Sequence, residues 1–158
     1  MTKEQVILLS NLEACRQRTE KLIYSMAKTA HLFPVTREQL TAFSDDQEES
    51  IDAFILRYSQ CVTMIQEQLF RGIAFLEQED ISDKSNRDKT LLMEKLGAIK
   101  SAEAFDTAAM LRNKFSHNYP EDSALRIERL NLIVEEAKFV VASFAEVNSY
   151  LHRKGFAS

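Results

Sequence analysis

Between Arg112 and Tyr119 the chain reads RNKFSHNY, so that Arg112, Asn113, Ser116, His117 and Tyr119 fall within eight residues, with Pro120 next. These residue types suit phosphate chemistry. A guanidinium forks onto phosphate oxygens. A histidine changes protonation near neutrality and serves as general base or general acid. The spacing Arg-x4-His alone is a weak motif, because Arg, Asn and His near a helix C-terminus also cap carbonyls and complement the dipole.

At roughly 100° per residue, taking Arg112 as zero puts Ser116 near 40°, Asn113 near 100° and His117 near 140°. Phe105, Ala108, Leu111 and Phe115 fill the arc from about 260° round past zero on the same wheel. The polar residues therefore form one wedge flanking a buried stripe. Tyr119 precedes a proline, which disfavours the α region there, and the helix is expected to end near Asn118.

The elements that must carry this wedge are helices. Three Gly and two Pro in 158 residues, one domain's length, leave few breaks, while Leu, Ala, Glu, Lys, Gln and Arg are abundant. Apolar residues at three-four spacing predict a first helix over 3–30, closed by Pro34, and Thr36 with Gln39 predicts a capping box for a short helix ending near Phe43. SDDQEES (44–50) reads as a loop entering a long helix over about 47–78, whose ~45 Å length exceeds a compact core and leaves part of it for a partner chain. EDISDKSNRDK (79–89) reads as a connector. Leu91, Leu92 and Leu96 then mark a short helix stopped by Gly97, Ser101 caps the helix bearing the polar wedge, and Asp122 or Ser123 starts a last helix ending before Gly155. The expected fold class is all-α, a single helical domain over 1–158 with four to five main helices.

The net charge of −4 excludes nucleic-acid binding by bulk basicity but not a local basic cleft. Cys15 and Cys61 have no Cys or His neighbour at metal spacing and read as buried thiols of a reducing cytosol. The expectation is a cytoplasmic protein with no signal peptide, no membrane span, no metal and no cofactor.

The string Arg112-Asn113-x3-His117-x-Tyr119 resembles the R-N-x3-H-x-Y signature of the HEPN superfamily, the small helical proteins of prokaryotic toxin–antitoxin pairs. IDAFILRYSQ (51–60), EQLFRGI (67–73), LLMEKLGAI (91–99) and MLRNKFSHNYPED (110–122) look, in this order and spacing, like its HepT branch, and the likeness covers most of residues 47–135. It implies a HEPN-type bundle, a homodimer, and a metal-independent endoribonuclease toxin whose two motif copies face each other across a cleft. Arg112 and His117 would be catalytic, Asn113 and Ser116 supporting. Tyr119 matches the tyrosine that a partner minimal nucleotidyltransferase, the antitoxin, silences by adenylylation with AMP. Metal-free RNA cleavage needs a base, an acid and a cation for the phosphorane's charge; one motif holds one histidine, so the second His117 of a dimer completes the set. The alternative is a non-catalytic substrate-binding or regulatory subunit of a nucleotidyltransferase.

Candidate RNA contacts are Lys114, Arg126 and Arg129 beside the motif, with Lys84, Arg87, Lys89, Lys95 and Lys100 against Asp88 and Glu94 just before it. Two positions that often carry an Asp and a Gly in the branch are Thr63 and Gln66 here, which removes an expected acidic contribution to the cleft and a close helix approach; Phe105 replaces the usual Trp. His31 and His152 read as helix-end residues; Arg57 and Asp52 lie on the second long helix, where Arg57 is expected in a surface ion pair, with a contact to RNA or to a buried carboxylate as the alternatives.

Overall fold

The computed structural model describes residues 1–117, with His117 by its backbone alone, and residues 122–158. Among the described residues it is all helical, without a strand. Helix α1 (Lys3–Thr29) runs on into a turn of 3₁₀ helix at Ala30–Leu32. The short α2 (Arg37–Ala42) has the expected Thr36/Gln39 capping box. A second such box, with Ser44 N–H donating to Gln47 Oε1 at 2.9 Å and Gln47 N–H to Ser44 Oγ at 3.1 Å, starts α3 (Asp45–Met64) two residues earlier than the sequence pattern suggests. Asp45, Asp46 and Glu48 therefore belong to its first turn, where the dipole favours carboxylates, rather than to a loop.

The long second rod has a local change of helix type. α3 passes into a π turn at Ile65–Leu69 and continues as α4 (Phe70–Leu76). The apolar stripe gives the reason. From Ile65 to Leu69 to Ile73, all fully buried, it advances in consecutive steps of four, and an α-helix at 3.6 residues per turn drifts by about 40° at each such step. The wider i→i+5 turn absorbs the drift and keeps the stripe inward.

α5 (Asn86–Leu96) is capped by Ser85 and closed by Gly97, whose φ of +89° is the left-handed conformation that the C′ position requires. α6 (Ala102–His117) follows, its start held by Ala104 N–H on Ser101 Oγ at 3.1 Å. α7 (Ser123–Arg153) is capped by Asp122.

α1 packs along α3, α6 lies in contact with α3 and α7, and α5 covers α6. Phe54, Tyr58, Phe70, Phe105, Ile133 and Val147 lie in the main core between them. Among the described residues no helix is long and apolar enough to cross a membrane. Cys15 and Cys61 are both buried free thiols, and burial pushes their pKa values up to about 12 and about 11, which makes them poor nucleophiles.

Candidate functional site

The polar wedge lies where α6 crosses α3. One turn before Arg112, the buried Tyr58 of α3 donates its hydroxyl to the Ala108 carbonyl at 2.6 Å, pinning α6 to α3 at the base of the site. Burial holds the Tyr58 phenol well above its ordinary pKa, so it stays a protonated donor. Phe115 packs against the core, while Asn113 and Ser116 are exposed and Arg112 is intermediate. This is the division the helical wheel predicts.

Arg112 is held on three sides. Its Nη1 donates to Thr63 Oγ1 at 3.2 Å and to Gln66 Oε1 at 3.0 Å, both across to the second rod. Its Nε and Nη2 donate to Asn113 Oδ1 at 3.1 and 3.0 Å. All of these acceptors are neutral, and Arg112 enters no ion pair among the described residues. Desolvation lowers its pKa, with Glu67 and the Tyr58 oxygen opposing; a guanidinium nevertheless stays charged.

Arg112 and Ser116 line an open cavity of about 330 Å³ together with Ser59, Thr63, Gln60 and Arg18 of α1. A neighbouring cavity of about 340 Å³ shares Ser59 and Ser116 and adds Leu56, Phe115 and Asp52. Together they line the α3–α6 crossing with two arginines, several hydroxyls and the Asp52 carboxylate. Arg18 Nη1 reaches Gln60 Oε1 at 3.5 Å. The Ser116 hydroxyl donates back to the Arg112 carbonyl at 3.0 Å, so its proton is engaged.

The remaining sequence candidates divide. His117 ends α6. Tyr119 and the break at Pro120 lie outside the described residues. Arg126 pairs with Glu48 at 2.7 Å, and Arg129 Nη1 donates to the Lys114 carbonyl at 3.2 Å; both tie the start of α7 to its neighbours. Lys114 is exposed. Arg87 pairs with Asp106 at 2.9 Å.

Arg57 corrects an expectation. Instead of a surface ion pair, it donates to Ser25 Oγ at 2.8 Å and the Lys21 carbonyl at 3.3 Å, with Tyr24's ring 6.0 Å away. Thr63 and Gln66 enter the sequence reading only as departures from a pattern, yet they are the groups that hold Arg112. Arg18 lies beyond any local motif, on another helix; no signal in the sequence places it here.

Among the described residues no cluster of His, Cys, Asp and Glu has the arrangement to hold a metal ion. Comparison with protein-family profiles, with curated proteins and with solved structures found no match to this chain.

Proposed function

We propose that this protein is a HEPN-type endoribonuclease toxin that cleaves RNA without metal at Arg112 and His117, acts as a homodimer in the cytoplasm, and is inhibited by a minimal nucleotidyltransferase that transfers AMP to Tyr119. The observation that carries the reading beyond the motif is the state of Arg112. A half-buried cation held only by neutral oxygens keeps its charge for an anion, and one lining an open groove with a second arginine suits the backbone of a single strand.

In this reading Arg112 offers its one remaining N–H and its positive charge to a non-bridging oxygen of the scissile phosphate and stabilises the phosphorane. One His117 takes the proton of the 2′-hydroxyl as the 2′-oxygen attacks phosphorus. The P–O5′ bond breaks, and the second protomer's His117 protonates the leaving oxygen, giving a 2′,3′-cyclic phosphate and a 5′-hydroxyl. Asn113 orients Arg112. Adenylylation of Tyr119, two residues from His117 in sequence, adds bulk and negative charge to the motif itself.

Expression of the chain alone should arrest growth with loss of RNA integrity, and Arg112→Ala or His117→Ala should relieve both. Incubation with ATP and the nucleotidyltransferase should raise the intact mass by AMP units in wild type but not in Tyr119→Phe. The same uncompensated charge also fits a nucleotide's phosphates, as in a non-catalytic subunit of a nucleotidyltransferase. A wild type that is harmless and leaves RNA intact, yet binds nucleotide through Arg112, would select that second reading.

A further inference from the structure

We propose that Gln66 and Thr63 are positioning residues that fix the Arg112 guanidinium through neutral oxygens, so that its orientation is set while its charge remains for a phosphodiester. This rests on the phosphate-binding reading of the groove and assigns it two residues from outside the motif.

Gln66 is 4% exposed, and a buried amide must find hydrogen-bond partners. It lies within the π turn at Ile65–Leu69, a helix irregularity that recurs at functional sites. Its Oε1 and the Thr63 Oγ1 occupy the Arg112 Nη1 end, while Asn113 Oδ1 bridges Nε and Nη2. Four of the guanidinium's five N–H groups are thereby directed by protein, and the plane is fixed before any ligand arrives.

A glutamate in place of Gln66 has the same reach and makes a stronger hydrogen bond to Arg112. It also cancels the charge. The amide therefore gives orientation without neutralisation, which is the combination a preorganised anion site requires.

The test uses full-length protein with labelled arginine side chains, the Arg112 Nε–Hε resonance being identified by its loss in Arg112→Lys. Two probes serve: inorganic phosphate and a non-cleavable 2′-O-methyl oligoribonucleotide. In wild type, phosphate should move the Arg112 resonance. Gln66→Glu should melt no lower than wild type, keep a sharp Arg112 resonance that phosphate no longer moves, and bind the oligonucleotide about tenfold more weakly or worse. Gln66→Met should broaden the resonance, and Thr63→Val, which removes the second Nη1 acceptor, should broaden it to a lesser degree.

A Gln66→Glu protein that binds the oligonucleotide as wild type does would overturn the proposal. So would a Gln66→Met protein with an unchanged Arg112 resonance, which decides the matter even where Gln66→Glu fails to fold. If wild type cleaves no RNA but these binding effects hold, the ribonuclease reading falls and the positioning role stands. If wild type and Gln66→Glu cleave equally, the reverse follows.

Discussion

Arg112 and Arg126 are both drawn partly into the protein, and they are satisfied in opposite ways. Arg126 meets the Glu48 carboxylate at 2.7 Å, with side-chain exposures of 18% and 32%, and so joins the start of α7 to the first turn of α3. Arg112 meets a hydroxyl and two amide oxygens. The first arginine's charge is consumed by the fold. The second's is positioned by the fold and left over, which under the proposed function separates a structural arginine from an anion-binding one.

The largest effect that separates the two should be on RNA. Arg112→Ala is expected to lower the cleavage rate by roughly a hundredfold or more, the scale for losing one preorganised donor to a developing charge. Arg126→Ala should leave the rate within about threefold when both are compared at one salt concentration. A similar loss in both would erase the distinction.

Stability should show the opposite order. Removing Arg126 strands the partly buried Glu48 carboxylate and costs about 2 kcal/mol, a fall in Tm of roughly 4–8 °C for a chain of this size. Arg112→Ala frees only neutral acceptors and relieves a desolvated cation, so thermal denaturation should shift less than in Arg126→Ala. The contrast can be sharpened at the Glu48 end of α3: Ser44→Ala removes one half of the capping box and should cost about 1 kcal/mol, additive with Arg112→Ala because the sites share no partner.

The smallest expected effect is a pH dependence behind the site. Burial raises the Glu136 pKa above its ordinary value, and Glu136 in turn raises that of Tyr58. A carboxylate whose folded pKa is raised contributes fully below its unfolded value of about 4.3, and that contribution is lost as pH rises through the folded pKa. Glu136→Gln should therefore melt above wild type at neutral pH, with the difference shrinking as the pH falls toward 4. A constant difference across that range would assign the effect to packing instead.

Much of this architecture can be read from local pattern. The Thr36/Gln39 box, the Gly97 and Gly155 stops, the Ser101 and Asp122 caps and the inward face of α6 all follow from residues within one or two turns of each other. α3 starts two residues before the apolar spacing indicates because the Ser44/Gln47 box that caps it sits inside an acidic run with no apolar periodicity. The π turn is legible only in hindsight, from the consecutive steps of four between Ile65 and Ile73.

The site is legible in a different proportion. The motif string names Arg112, Asn113, Ser116, His117 and Tyr119 as candidates, and of these the structure describes the side chains of Arg112, Asn113 and Ser116. The acceptors that orient Arg112 lie 49 and 46 residues away, a pairing made by the α3–α6 crossing rather than by any sequence spacing. Arg57 illustrates the same limit: its acceptors lie on α1, and nothing in its own helix indicates them.

The most direct test is the end chemistry of RNA treated with the purified protein in the presence of a chelator. The account predicts fragments ending in 2′,3′-cyclic phosphate and beginning with 5′-hydroxyl, formed by wild type and Arg126→Ala and absent with Arg112→Ala or His117→Ala. Intact RNA with wild type, or cleavage undiminished in Arg112→Ala, would contradict it.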